Sequence, residues 1–245
     1  SVNAALTMLV ADRVMLAGTV RHTEVLLSDS VSRTAQGAGS GFGASRRAGA
    51  ASFSQQEVHL SLGLADPLVG AFVQAAHVFE SKGELGALDV LGAALRVSTF
   101  GDLTLEGSLS RYADGTVLRL APAWRLPMGS HASVQPGAAY QRWGGNSYWN
   151  GALTLSAYGD FGRVWLGGKY GEEVRPAYLH EAAIYNFPET IMYGGWAGGT
   201  FVVSGAWGVT AAYELSRLRL AATASEPPWQ GNLHLVALTL HRRFD

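Results

Sequence analysis

Segments of about ten residues in which apolar and polar side chains alternate recur along this chain, and they limit its fold more than any other feature. In the segment 102–112, for example, three leucines share one face and Thr104, Glu106 and Ser108 share the other. Successive side chains of a β-strand point to opposite faces, so this period predicts strands with one apolar and one polar face. About ten residues of tilted strand span the hydrocarbon core of a bilayer. The pattern therefore predicts strands with one face to lipid and one to a polar interior.

Composition favours a surface that faces lipid. Charged residues make up 15% of the chain and hydrophobic residues 48%, whereas ordinary globular domains have roughly 25% charged residues. The chain has no cysteine, and its net charge of -1 gives no field that would attract nucleic acid. No segment has the roughly 18 consecutive apolar residues of a transmembrane helix. On composition alone, a soluble β-sandwich remains the alternative.

Twelve strands account for the alternating segments. They are predicted near residues 13–25, 52–64, 68–80, 87–99, 102–112, 116–126, 130–143, 147–158, 161–172, 190–203, 206–222 and 231–244. Short turns and longer polar links alternate between them, as tight periplasmic turns and longer extracellular loops do in outer-membrane barrels. We therefore predict one all-β domain over residues 1–245, a transmembrane antiparallel up-and-down β-barrel of about 12 strands, with 10 or 14 as alternatives.

Three segments fit this scheme less simply. Residues 1–12 are predicted as a periplasmic lead-in or as part of the first strand. The segment from Leu26 to Ala51 is rich in Ser, Gly and Ala, which predicts an extracellular loop, with a further strand as the alternative. From Gly208 to Thr223 the apolar positions change phase, which predicts a β-bulge.

Aromatic residues cluster near the predicted strand ends, where barrels place interfacial girdles. They are Trp124, Tyr140, Trp143, Tyr148, Trp149, Tyr193, Trp207, Tyr213 and Trp229. Aromatic residues are also common at strand ends in other β-proteins, so the girdle interpretation depends on the alternation around them.

The last segment, 234–245, places apolar residues at even spacing up to Phe244. It resembles the terminal signature of outer-membrane proteins that the barrel assembly machinery recognises. In that class the aromatic residue is usually the last one, whereas here Asp245 follows it.

A wider family resemblance rests on three further motifs and on the terminal hairpin. The motifs are Ser110–Thr116 (SRYADGT), Ala138–Trp143 (AAYQRW) and Val164–Gly171 (VWLGGKYG). With them, the region from Leu60 to Phe244 resembles the YaiO-type family of outer-membrane β-barrels. The resemblance implies a barrel in the bacterial outer membrane, but no activity, because the family has no well-defined catalytic residues to carry over. Some relatives accompany polysaccharide export or other envelope-spanning assemblies, which implies a role as one component of such an assembly.

Polar side chains on the predicted inward face would line the lumen of the barrel. They are Arg21, Glu57, His59, Gln74, Glu106, Arg119, Arg125, Gln135, Gln141, Asn150, Arg163 and Lys169. Because both charge signs occur, we expect an internal network of ion pairs and hydrogen bonds that plugs the barrel. Their small Gly, Ala and Ser neighbours leave room for water, so a narrow selective pore is the alternative.

The longest loop combines aromatic and aliphatic side chains, among them Tyr178, Ile184, Tyr185 and Phe187. Such a cluster predicts either an exposed interface or a segment that folds into the barrel mouth and caps it. The neighbouring pair His180 and Glu181 is a weak candidate for catalysis, since a lone His-Glu pair in a polar loop is usually solvated. No metalloprotease, nucleophile-elbow or phosphate-loop motif is present.

These observations predict a structural or interaction component of a cell-envelope assembly in the bacterial outer membrane, and no enzyme. The expected partners are outer-membrane lipid and lipopolysaccharide, the barrel assembly machinery during insertion, and other proteins of an envelope complex. No nucleic acid, cofactor, metal or catalytic residue is expected. A narrow pore for ions or small solutes is the second hypothesis, and an outer-membrane enzyme is the third.

Overall fold

One antiparallel sheet of 13 strands forms almost all of the computed structural model of this chain. The structure describes residues 2–26, 52–80, 88–112, 115–174, 177–178, 183–184, 190–204, 207–220 and 229–242. The strands of this sheet are β1 (Val2–Ala11), β2 (Val14–Leu26), β3 (Ser52–Ala65), β4 (Val69–Glu80), β5 (Leu88–Thr99), β6 (Gly101–Tyr112), β7 (Gly115–Pro127), β8 (Ala132–Trp143), β9 (Asn146–Gly159), β10 (Gly162–Val174), β13 (Thr190–Ser204), β14 (Trp207–Leu220) and β15 (Trp229–Arg242). Two short strands, β11 (Ala177–Tyr178) and β12 (Ala183–Ile184), pair with each other between β10 and β13.

The predicted all-β, up-and-down architecture is confirmed. The order of the strands in the large sheet is their order in the chain. The twelve predicted strands begin and end close to the observed ones. Residues 2–11, predicted as a lead-in or as part of the first strand, instead form a strand of their own, which pairs with β2. The predicted loop from Leu26 to Ala51 lies, apart from Leu26, outside the described residues.

The connections of the sheet separate into two rims, as predicted. The turn rim has the short connections at residues 12–13, 66–68, 100, 128–131, 160–161 and 205–206. The loop rim has the connections at residues 27–51, 81–87, 113–114, 144–145, 175–189 and 221–228. Among the described residues of the loop rim, Gly144-Gly145 forms a tight turn, whose positive φ angles of 55° and 85° suit a two-residue hairpin.

Burial alternates along the strands and defines two faces of the sheet. On β5, Val90 and Ala94 are buried whereas Leu91 and Leu95 are exposed. The exposed face is apolar along the middle of the strands, with charged residues such as Asp89, Arg111 and Arg142 near the loop rim, and the buried face has carboxylates, guanidinium groups, amides and hydroxyls. This arrangement is the reverse of a water-soluble protein, where large apolar side chains are inside.

Long-range contacts show that the sheet curls with its polar face inside. Arg119 on β7 lies 3.5 Å from Glu173 on β10, although β8 and β9 separate the two strands in the sheet. The two ends of the sheet, β1 and β15, also contact each other. The sheet is therefore a β-barrel, with an apolar outer face and a lumen bounded by the polar inner face.

Aromatic side chains lie near both rims of the outer face. Exposed near the turn rim are Phe100, Trp124, Phe161 and Trp207, and near the loop rim Phe79, Trp149, Tyr170 and Tyr193. Three of the predicted girdle residues lie elsewhere: Tyr213 is on the outer face but at the middle of β14, and two are inside. Trp143 packs against a buried apolar cluster inside the barrel, and Tyr148 is opposite the buried Gln141 on the inner face.

The bulge predicted between Gly208 and Thr223 lies on the neighbouring strand. β14 and β15 pair without interruption from Trp207 to Leu220. The register shifts instead on β13, between Ile191 and Tyr193. The apparent change of phase arises because Leu218 points inward and is only 3% exposed. The inner face is apolar near the loop rim, so an apolar residue there does not indicate the outer face.

Two tryptophans of the inner face lie across glycines of the adjacent strand. Trp196 is opposite Gly167, and Trp165 is opposite Gly198. A Cβ added to Gly167 would be 2.4 Å from Nε1 of Trp196, and one added to Gly198 would be 2.6 Å from Cζ2 of Trp165. The absence of a side chain at each glycine therefore lets an indole ring lie flat against the wall of the lumen.

We expect Gly167→Ala to lower the stability of the barrel by about 1–3 kcal/mol, because the new methyl group overpacks the Trp196 ring. The measurement is the urea midpoint of unfolding. Gly151→Ala is the matched control, since a Cβ there has nothing within 4 Å. Equal midpoints for the two variants would contradict the proposed Trp196–Gly167 packing.

Candidate lumen site

An apolar cluster closes the inside of the barrel near the loop rim. It consists of Ala76, Val78, Leu88, Val90, Tyr112, Val117 and Ala177, with Phe72 and Trp143 packed against it. We call this cluster the apolar cap. Its members are at most 7% exposed, apart from the two partly buried aromatic residues. At this end the interior is therefore packed with side chains.

The long loop contributes to the apolar cap. Ala177, the first residue of β11, is 2% exposed and packs in the cluster, while Tyr178 and Ile184 take part in the pairing of β11 with β12. Ala177 is therefore inside the barrel near the loop rim, while the two predictions for the aromatic and aliphatic residues of this loop stay predictions. The other predicted loop residues, Tyr185 and Phe187, lie outside the described residues, as do His180 and Glu181.

A network of buried ion pairs lies beneath the apolar cap. Arg119 contacts Glu106 at 2.8 Å and Glu173 at 3.5 Å. Lys169 contacts Glu173 at 3.1 Å and Glu214 at 3.6 Å. We call these five residues the ion network. It joins β6, β7, β10 and β14 across the lumen, so it holds together strands that do not pair directly.

A second buried polar cluster lies on β3 and β4. The His59 ring is between Glu57, 2.9 Å from its Nε2, and Gln74, 3.0 Å from its Nδ1. Gln55 donates to the other carboxylate oxygen of Glu57 at 2.8 Å. Both ring nitrogens therefore have hydrogen-bond partners. The geometry suits a structural hydrogen-bond cluster better than general base catalysis.

Three arginines lie on the inner face toward the turn rim, where the side chains are less buried. Arg125 forms an ion pair with Asp102, and Arg163 donates to Ser156 at 3.0 Å. Arg96 donates to the carbonyl oxygen of Asp66 at 3.2 Å. We call Arg96, Arg125 and Arg163 the arginine band.

Asp66 fixes the turn that supports Arg96. The Leu68 N–H donates to the Asp66 carboxylate at 3.0 Å, and this bond, together with the Arg13 guanidinium, holds the pKa of that carboxyl below its ordinary value. A carboxyl whose pKa falls on folding stabilises the fold above its unfolded pKa. That contribution is lost as the pH falls through the lowered pKa.

The predicted lumen residues differ in depth. Glu57, Glu106, Arg119, Gln141 and Lys169 are buried on the inner face, whereas Arg125, Gln135 and Arg163 are on the same face but partly exposed. The sequence prediction missed Glu173 because the predicted strand ended at residue 172, whereas β10 extends to Val174 with Glu173 on the same face as Lys169. It also missed Arg96, Asp102 and Glu214, which the alternation of their own strands could have placed inside.

No family model matches this chain, and a search of curated proteins finds no match either. Among the described residues, no helix is long and apolar enough to cross a bilayer. In the same part of the chain, no three His, Cys, Asp or Glu side chains come together as metal ligands.

We expect Arg119→Met to destabilise the barrel by about 3–5 kcal/mol, because it removes a cation from between two buried carboxylates. Arg142→Met, on the exposed face of β8, is the matched control and should cost far less. Unfolding in urea measures both. Adding Glu106→Gln to Arg119→Met should recover part of the loss. A double variant less stable than the single one would contradict the ion network.

Proposed function

We propose that this protein is a bacterial outer-membrane β-barrel with a blocked lumen, which acts as a structural or interaction component of a cell-envelope assembly. The observation that carries the proposal is the apolar outer face with aromatic residues near both rims. Lipid-spanning barrels need such a face, because hydrocarbon surrounds the middle of every strand and their amphipathic aromatic rings lie at the interfaces.

Strand length supports the same proposal. The paired strands β2 to β10 and β13 to β15 have 12 to 15 residues. At about 3.3 Å per residue and a tilt near 45°, such strands rise roughly 28–35 Å along the barrel axis. The hydrocarbon core of a bilayer is about 30 Å thick. The outer face is therefore tall enough to cross it.

The packed interior favours a scaffold over a channel. A conducting pore needs a continuous wet path, whereas the apolar cap and the ion network fill the loop-rim half of the lumen with buried side chains. The ion network also ties distant strands together, as a rigid scaffold requires. The resemblance to barrels that accompany envelope-spanning assemblies adds to this proposal.

A narrow pore is the second candidate, and the turn-rim half of the lumen favours it. There the inner face has small side chains such as Ala121, Ala123 and Ala152, together with partly exposed arginines. If the apolar cap were displaced, the arginine band would make the pathway selective for anions.

We expect Leu105→Arg to lower the fraction of protein that folds into phosphatidylcholine vesicles. The reason is that an arginine at mid-bilayer destabilises a barrel by roughly 2–4 kcal/mol. Leu105 is 50% exposed near the middle of β6. Met128→Arg, in a turn, is the control and should fold as the unmodified protein does. If the protein were water-soluble, both positions would face water and the two substitutions would affect folding equally. Undiminished folding of Leu105→Arg would therefore contradict a lipid-facing surface.

In planar bilayers we expect the unmodified protein to give no steady conductance, because its lumen is packed. Tyr112→Ala combined with Val117→Ala removes two members of the apolar cap and should produce frequent openings. Leu103→Ala combined with Leu109→Ala, on the exposed face of β6, is the control and should stay closed. Steady, ion-selective conductance of the unmodified protein would favour the pore instead.

The role in an assembly is tested by the size of the particle extracted from its own envelope in mild detergent. The proposal predicts a stable complex heavier than the 25.9 kDa chain with its micelle. A clean monomer at every detergent concentration would count against it, while leaving the barrel itself in place.

A further inference from the structure

The arginine band has an excess of positive charge on the inner face near the turn rim. Of the described carboxylates, Asp102 is the one that pairs with a member of the band, through Arg125, and it also interacts with Arg96. Asp102 therefore interacts with two of the three guanidinium groups, and the third, Arg163, has no carboxylate partner among the described residues. The ion network deeper in the lumen differs, because its two cations lie among three carboxylates.

Arg96 is held in place but lacks one acceptor. Its guanidinium lies against Gly70, where an added Cβ would be 3.3 Å from its Nε. Its Nη2 donates to the carbonyl oxygen of Asp66. Its Nε, by contrast, is buried and has no hydrogen-bond partner among the described residues.

Arg163, on the opposite side of the band, also has a buried Nε donor without an acceptor among the described residues. Its guanidinium carbon is 5.7 Å from the centroid of the Tyr158 ring and 5.3 Å from that of Trp165. Its Nη2 donates to Ser156, but its Nε is buried and likewise has no partner in the described part of the chain. Two ring contacts and one hydrogen bond therefore orient this N–H donor, for which the described residues supply no acceptor.

Arg125 and Tyr158 connect the two ends of the band. Arg125 interacts with both Asp102 and Tyr158, and Tyr158 in turn interacts with Arg163. Beyond Arg163, the wall of the lumen continues with the hydroxyls of Thr200 and Thr210, which lie 2.8 Å apart. Guanidinium and hydroxyl donors thus line one level of the lumen.

Buried donors in folded proteins nearly always have an acceptor, so an unpaired one indicates a group that binds there. Water is a weaker candidate than an anion, because the surplus charge favours a negatively charged acceptor and guanidinium groups bind oxyanions with short, strong hydrogen bonds. The small side chain of Ala123, two positions from Arg125 on the inner face, leaves room beside the band for such a group.

We propose that the arginine band is a binding site for a phosphate-type oxyanion, which enters the lumen from the turn rim. The apolar cap closes the other end, so the site is a blind vestibule. Arg96 and Arg163 donate through their unpaired Nε atoms, and Arg125 adds charge. This goes beyond the scaffold role, and it requires only the inner face of the barrel, so its failure would leave the proposed membrane role untouched.

The test is calorimetric titration of the purified, folded barrel in a neutral detergent at low salt. Inorganic phosphate and glucose 6-phosphate represent free solutes, and mixed micelles containing phosphatidylglycerol represent a lipid head group. Saturable binding of either solute is expected. Binding of the anionic lipid alone would support the same site with a head group as its source.

Arg96→Gln and Arg163→Gln should each weaken binding about tenfold, equivalent to about 1.4 kcal/mol. Arg142→Gln, on the exposed face of β8, is the matched control and should bind as the unmodified protein does. Arg163→Lys keeps the charge and the fold but loses the Nε donor, so it should bind with intermediate affinity. No saturable binding in any arm, or an equal loss in Arg142→Gln, would overturn the site.

Discussion

The alternation of side chains across one continuous antiparallel ladder is the constraint on which the rest of this structure depends. Hydrogen bonds to adjacent strands satisfy the backbone, so the two faces of the sheet are free to differ in polarity. Here the exposed face is apolar and the buried face holds carboxylates and guanidinium groups. The sheet buries its polar face by curling around it, and the proposed function supplies an apolar medium for the other face.

Curling produces an interior with three levels, each of different chemistry. The apolar cap fills the loop-rim end, the ion network crosses the lumen below it, and the arginine band lines the level toward the turn rim. Buried ion pairs contribute little net stability because desolvation opposes their attraction. Their effect here is to fix the relative positions of strands that share no backbone hydrogen bonds, as Arg119 and Glu173 do across β8 and β9. A rigid barrel wall suits a scaffold, and it also fixes the positions of the strands that carry the arginine band.

The sequence predicts the strands well, because alternation and turn residues are local properties. The same parity argument places Glu57, Glu106 and Lys169 on the inner face. It fails where the local rule is broken. Leu218 is apolar although it points inward. Glu173 obeys the rule but lies just beyond the predicted end of its strand, in a segment whose polar composition predicts a loop.

Other features depend on geometry that no local pattern contains. The contact between Arg119 and Glu173 arises from the curvature of the whole sheet, and neither segment predicts it alone. The burial of Ala177 likewise depends on tertiary contacts with residues that are distant in the sequence. The strand at Val2–Ala11 was missed as a separate element because its mostly apolar sequence has no regular alternation.

The most direct test of a lipid-facing outer surface is fluorescence quenching of the tryptophans by brominated phospholipids. Trp124, Trp149 and Trp207 are exposed on the outer face near the rims. After folding into vesicles, bromine atoms near the head groups should quench them more strongly than bromine atoms at the bilayer centre. A chain that stays monodisperse in buffer without detergent, and whose emission the brominated lipids leave unchanged, would contradict the account.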